Sequence, residues 1–270
     1  MQEREVTGLG TDGTLHDANG RRPSQTTRAS SLFTPPAEPP AHAVVDCTRH
    51  RLLPALALVD RSKPFLIRLS DAAADSAALR HTWDRHVRTC ELSYKAATQH
   101  VEGTRKTLRQ AWDEDGLAIQ HDLDDEACSS NPVVDFLRAH PELKLSGMWS
   151  RLEEWLEAHI GPIVRRPAFI NGSQVRPTTT HYDDYTSVAV VLAGAKTFYV
   201  AAPKLVHQTG RGMLHESSAS PHKPGTSREQ AVPQPFVRMQ VDAGSILCLP
   251  RGWWHYVDSQ PRTVMVCAWI

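Results

Sequence analysis

From Ile163 to Ile270 the chain is a succession of short apolar runs cut by Gly, Pro, Asp and Ser: PAFING, TSVAVVLA, KTFYVAAP, PFVRMQV, SILCLP, WWHYV and TVMVCAWI. Runs of this length bounded by turn residues read as β-strands. So many short strands in one segment must stack as two sheets or close into a barrel, and a double-sheet jelly roll is the natural solution. One connection breaks the rhythm. Residues 204–235 are polar and rich in Ser, His, Pro and Gly, and connections of that length are functional lids or mobile segments.

The upstream part reads differently. Residues 1–42 are Thr-, Ser-, Gly- and Pro-rich without apolar periodicity and end in PPAEPPAH, the composition of a disordered leader. A single domain is expected over 43–270, with its barrel core at about 163–270. AVVDC and KPFLIRL read as strands, and residues 71–87 as a helix with Asp71 as N-cap. Residues 88–145 carry no clear pattern. LSGMWSRLEEWLEAHIG is an amphipathic helix with Met148, Leu152, Trp155, Leu156 and Ile160 on one face and Gly161 as its C-cap. The expected fold is mostly β with flanking α: a jelly-roll barrel of the double-stranded β-helix type, preceded by helices.

Composition removes several function classes. Apolar runs such as VAVVLAGA are far too short to span a bilayer, and the N-terminus MQEREVTGLG lacks the apolar core of a secretory signal. A cytoplasmic protein with no membrane partner is expected. Thirty basic residues balance thirty acidic ones with no basic block, which argues against nucleic acid as a partner. The five cysteines form no Cys-x-x-Cys pair, so free thiols are expected rather than disulfides or a zinc site. Cys248 and Cys267 lie in apolar runs, as small buried hydrophobes do.

Of the fourteen histidines, two stand out by context. In His181-Tyr182-Asp183 an imidazole and a carboxylate two residues apart project to one face of a strand, with Tyr182 facing the other way. Alone, that tripeptide is equally a polar strand end. In Pro250-Arg251-Gly252-Trp253-Trp254-His255 a turn delivers a histidine into an apolar strand, where it is either a hydrogen-bonded core residue or a metal ligand. Taken together, two histidines and one carboxylate make the facial triad that suits iron(II) and leaves positions open for substrate and dioxygen.

Through these motifs, residues 171–270 resemble the catalytic core of the JmjC and cupin-like iron(II)/2-oxoglutarate oxygenases. The shared features are His181-x-Asp183, a hairpin strand carrying Lys196, a variable insertion, the turn DAGS and the Pro-x-Gly-Trp-Trp-His run. KPFLIRL followed by a helix resembles the family's opening strand and helix. Read without the family, Lys196 is an exposed lysine after a tight AGA turn. The resemblance implies instead that it pairs with the distal carboxylate of 2-oxoglutarate, assisted by the Thr178 hydroxyl, while His181, Asp183 and His255 hold Fe(II).

The resemblance further implies a dioxygenase that consumes O2 and 2-oxoglutarate, releases succinate and carbon dioxide, and hydroxylates an unactivated C–H bond. The presence of Asp183 favours hydroxylation over halogenation. Two departures from the pattern bear on the substrate: the chain ends directly after the last strand, and the 204–235 insertion lacks the Asp- and Pro-patterned stretch of protein-hydroxylating relatives. They favour a small molecule, such as an amino acid or natural-product intermediate, over a protein side chain, and a monomer or weak homodimer. Cys267 stands where relatives often have an asparagine near the iron. A cupin metalloenzyme that does not use 2-oxoglutarate is the alternative of different chemistry.

Overall fold

The computed structural model describes residues 43–58, 60–71, 73–97, 102–114, 117–119, 131–173, 177–206, 216–217 and 236–270. The expected leader, residues 1–42, lies outside them, as does most of the 204–235 insertion with His207, His215 and His222. The element order is β1 (Ala43–Cys47), a 3-10 turn, α1 (Leu52–Leu58), β2 (Phe65–Leu69), α2 (Ala73–Thr89), β3 (Ser93–Ala97), β4 (Glu102–Thr107), α3 (Leu108–Asp113), β5 (Leu117–Ile119), α4 (Pro132–Ala139) and α5 (Lys144–His159). The β-rich part follows: β6 (Ala168–Ile170), β7 (Thr180–His181), β8 (Ser187–Ala193), β9 (Ala195–Ala201), β10 (Glu216–Ser217), β11 (Val237–Asp242), β12 (Ile246–Leu249), β13 (Trp254–Ser259) and β14 (Val264–Trp269). None of the described helices is long and apolar enough to cross a membrane.

Two sheets dominate. One has seven strands in the order β1-β2-β12-β8-β14-β6-β5, the other five in the order β10-β7-β13-β9-β11, and β3-β4 form a separate ribbon. This is a mostly β fold of jelly-roll character, but the expected closed barrel is not formed. Among the described residues no strand of one large sheet pairs with a strand of the other. The sheets meet through their side chains and through the chain crossings between them.

The apolar pattern explains why the larger sheet is the foundation. Every residue of β8 and β14 is buried, as expected of strands covered on both faces. Val188, Val190 and Leu192 pack with Val264, Val266 and Ala268 toward the helices, whereas Ala189, Val191, Met265, Cys267 and Trp269 face the smaller sheet. The helices cover the first of these faces, and Ser76 in α2 donates to the Leu192 carbonyl at 3.3 Å. Asp71, expected to cap α2, lies one residue further out, and its carboxylate accepts from Arg49 Nε at 3.0 Å. The amphipathic helix is α5, which buries Met148, Leu152, Trp155 and Leu156 as read, and Leu145 and Trp149 besides.

The AGA turn is not a hairpin. β8 belongs to the seven-stranded sheet and β9 to the five-stranded one, so the turn carries the chain across the sandwich. The crossings after β11, β12 and β13 do the same, and each crossing contains a residue of positive φ: Gly194 (76°), Gly244 (83°), Gly252 (79°) and Arg262 (55°). At Gly194 a side chain is doubly excluded. The backbone is left-handed, and a Cβ would collide with Thr263 Oγ1 and lie 3.0 Å from its Cα. Gly194→Ala should therefore destabilise the protein by about 2 kcal/mol or more. Gly147→Ala, in α5 with nothing within 4 Å of the new Cβ, should stabilise it by about 0.5–1 kcal/mol. Urea unfolding of the two variants beside the parent protein checks both signs.

Candidate metal centre

β7 and β13 are antiparallel neighbours, and the one residue pair that bridges them is His181 with His255. Residues directly opposite on paired strands bring their side chains together, so the bridge itself juxtaposes the two imidazoles. Their ring centroids are 4.2 Å apart. Asp183 follows β7 by two residues, and its Oδ2 lies 3.8 Å from His255 Nε2. One donor atom from each of His181, Asp183 and His255 falls within 4.8 Å of the others. The structure thus brings together the three residues expected as ligands. His255 is buried, while His181 and Asp183 are half-buried and open the site toward solvent.

Both imidazoles are oriented by the same device. His181 Nδ1 lies 2.8 Å from the Thr179 carbonyl and His255 Nδ1 lies 3.1 Å from the Trp253 carbonyl, each two residues back. A carbonyl only accepts, so each Nδ1 carries a proton and each Nε2 presents its lone pair. This is the arrangement that fixes tautomer and ring direction in metal-binding histidines. Burial, and then the neighbouring His181, push the His255 imidazole down to about 4, which keeps it neutral near pH 7. Two imidazoles and a carboxylate are the donor set of a 2-His-1-carboxylate site, which fits iron(II).

The turn before β13 is tied to the same place. The Trp253 N–H donates to the Pro250 carbonyl at 3.2 Å, and the Gly252 N–H donates to the Asp183 carbonyl at 3.0 Å. With φ of 79° at Gly252, this is the geometry of a type II turn, whose third residue favours glycine. The turn therefore couples the segment bearing His255 to the backbone of Asp183.

Lys196 lies further along the same inner face. β9 and β13 pair with His255 opposite Val200 and Ser259 opposite Lys196, so His255, Val257 and Ser259 share a face with Lys196, Phe198 and Val200. The lysine is 4 % exposed, not the exposed turn residue that its local sequence suggests. Its Nζ donates to Asn171 Oδ1 and to Ser259 Oγ, both at 2.9 Å, and lies 5.5 Å above the Phe169 ring. Among the described residues no carboxylate pairs with it. Burial pushes its ammonium down to about 8, the Cys267 thiol acting weakly the other way. Thr178 stands between the two groups: its N–H donates to the Val257 carbonyl at 3.0 Å, and its Oγ1 accepts from the Val257 N–H at 2.9 Å. It lies beyond the end of β7, so the alternation that would turn it from the His181 face does not apply.

Sequence reasoning missed Asn171, Ser259 and Phe169. The signal for Ser259 was present, since two steps of strand alternation from His255 lead to it. The aromatic residues divide. Tyr182 and Trp254 pack edge-to-face at 4.8 Å on the outer face of the smaller sheet, away from the triad. Tyr185 and Trp253 pack with the inner cluster, and Tyr185 stacks on Trp269 at 5.4 Å. Cys267 is also internal, and burial pushes its thiol up to about 12. Cys248 packs on the helix side of the larger sheet.

With this geometry in place, two likenesses to known proteins bear on the class. Residues 140–269 match the model of the cupin-like domain family, a segment that runs from before α5 into β14 and contains every residue of the triad. The match covers a little under half of the chain. The chain is also similar to ribosomal oxygenase 1 of Gallus gallus, at 25% identity over 249 residues, which is 90% of this chain and 36% of that protein. The chain thus spans about a third of the length of this relative.

Lys196 should leave a signature in stability. Its folded value lies below the ordinary lysine value of 10.5, so between about pH 8 and 10.5 the unfolded chain binds more protons than the native one. Stability should rise with pH across that window, by up to roughly 1.4 kcal/mol per pH unit. The burial cost is present in full below about pH 8. Lys196→Met should remove this rise, as read from denaturation midpoints at pH 7.5 and 10; an equal rise in both proteins would assign it to other groups.

Proposed function

We infer that the protein is an Fe(II)/2-oxoglutarate-dependent oxygenase that hydroxylates a C–H bond. The observation that carries this reading is Lys196: a buried cation without a paired carboxylate, on the inner face that also bears His255. A buried charge is stable only when compensated, and an anionic cosubstrate reaching from the triad to Lys196 would compensate it. The cupin-like match and the oxygenase relative support the same chemistry.

In this reading His181, Asp183 and His255 hold the iron. Iron bound there supplies, with the cosubstrate, the dioxygen activation that no side chain can perform. The chain's own residues do the rest. The Thr179 and Trp253 carbonyls keep both Nε2 atoms aimed at the ion. Lys196 binds the distal carboxylate through a charge-assisted hydrogen bond. Thr178, whose oxygen is held by the Val257 N–H, keeps its hydroxyl proton to donate to that same carboxylate. Phe198, Val200, Val257 and Met265 line the space between the sheets and exclude water.

Two substrate readings accompany this chemistry. A small molecule follows from the composition of the 204–235 insertion. A substrate associated with the ribosome follows from the relative's name. One assay tests the class and separates them: succinate formation by the anaerobically iron-loaded protein, exposed to oxygen with a metabolite extract or with a ribosomal fraction. Turnover should fall at least 100-fold in His181→Ala and His255→Ala and at least tenfold in Lys196→Ala. Iron-loaded, folded protein that forms no succinate with either pool would exclude 2-oxoglutarate as cosubstrate. Turnover insensitive to Lys196→Ala would move the distal carboxylate elsewhere.

A further inference from the structure

The surroundings of Lys196 contain more donors than one lysine requires. An ammonium has three N–H donors and cannot accept, so the contacts to Asn171 Oδ1 and Ser259 Oγ fix both partners as acceptors. The Asn171 amide must then face Lys196 with its oxygen, which leaves its NH2 group on the outer side of the contact. Ser259, accepting from Lys196, retains its own O–H proton. The third Lys196 N–H remains as well. Among the described residues, none of these donors meets an acceptor. Three chain segments create this convergence: β9 bears Lys196, the last residue of β13 is Ser259, and Asn171 directly follows β6, where its N–H is held by the Thr263 carbonyl at 2.8 Å.

We propose that Asn171 and Ser259 form, with Lys196, a carboxylate-binding subsite in which the two neutral residues both hold the ammonium in place and donate to the anion, and so select a dicarboxylate cosubstrate over a monocarboxylic keto acid. The proposal rests on the 2-oxoglutarate reading above and assigns two residues that the sequence motifs do not point to. Lys196 is buried and Asn171 and Ser259 are half-buried, so an anion that reaches the ammonium from the open side meets donors from all three residues. Burial holds the lysine value below its ordinary one, and a bound carboxylate would raise it again.

The test uses the full chain loaded with Mn(II) in place of iron, without oxygen, and reads binding by calorimetry. The ligands are 2-oxoglutarate and pyruvate, a keto acid with no distal carboxylate. Asn171→Ala and Ser259→Ala should each weaken 2-oxoglutarate roughly tenfold, the effect of one hydrogen bond to a charged group. Pyruvate and Mn(II) should bind these variants as they bind the parent protein, and Ser259→Thr should keep 2-oxoglutarate within threefold. Asn171→Asp is isosteric and decisive. A merely structural residue would tolerate it, because a carboxylate is a better partner for Lys196 than an amide. In an anion subsite it occupies the anion's place, so 2-oxoglutarate affinity should fall at least 100-fold while the melting temperature of the ligand-free protein rises. If all four variants bind 2-oxoglutarate within twofold of the parent protein, the subsite is overturned and the cosubstrate reading survives. If the parent protein itself binds no 2-oxoglutarate, both fall.

Discussion

The site depends on one residue pair, the bridge that sets His181 against His255. β7 is only two residues long, too short to hold its own register by hydrogen bonds alone. Its position is fixed from outside. β10 pairs with it on the other edge, Glu216 opposite His181. The Thr178 hydroxyl and backbone lock onto Val257 of β13, and the Gly252 N–H holds the carbonyl of Asp183. Three ligands from two distant parts of the chain thus meet without a long strand between them. The carbonyl contacts at the two Nδ1 atoms then settle which nitrogen each ring offers.

The two sheets divide the work. The seven-stranded sheet buries apolar residues on both faces and anchors the fold against the helices. The five-stranded sheet places three polar groups on its inner face: His255 and Ser259 on β13, Lys196 on β9. Because side chains alternate, slipping β13 by one residue against β9 would turn its polar set outward at one stroke. Triad and lysine are therefore one unit of register. The crossings reinforce this. Gly194 sits two residues before Lys196, Gly252 three before His255, and both have positive φ, so the chain enters each strand of the site at a fixed phase.

Much of this was legible in the sequence for a simple reason. Strand alternation puts His181 and Asp183 on one face, and only the combination of that motif with the Pro-x-Gly-Trp-Trp-His run, and the resemblance the two carry, added His255 as a third ligand. What alternation cannot report is which strands pair. The AGA segment has the composition of a hairpin, yet β8 and β9 lie in different sheets, and closure into a barrel was expected where two open sheets exist. Burial of Lys196 was hidden for the same reason, since Ser259, Val241, Asn171 and Phe169 come around it only through strand pairing and packing. Residues 88–145 read as featureless because their elements are short. Their signals were local ones: Thr107 and Gln110 form a capping box at α3, and Asn131 caps α4 ahead of Pro132. Asn171 had no signal at all, because its role depends on β6 lying beside β14 in the other sheet.

The buried lysine also constrains how such a site could have been built. An ammonium taken out of water without a counter-charge destabilises the fold, and hydrophobic replacement would relieve that cost. Lys196 nevertheless sits in a protein whose larger sheet is packed almost without polar groups, so the smaller sheet's inner face is the exception. Exceptions of this kind mark the place where folding stability is given up for a ligand. The same holds for His255, which is kept neutral by burial and so offers a lone pair that a solvated histidine would offer less completely. Desolvation by the β-sandwich acts on both residues, but with opposite use. For His255 the neutral form is the binding form. For Lys196 it is the charged form that binds, and an anion entering between the sheets would supply the counter-charge it lacks.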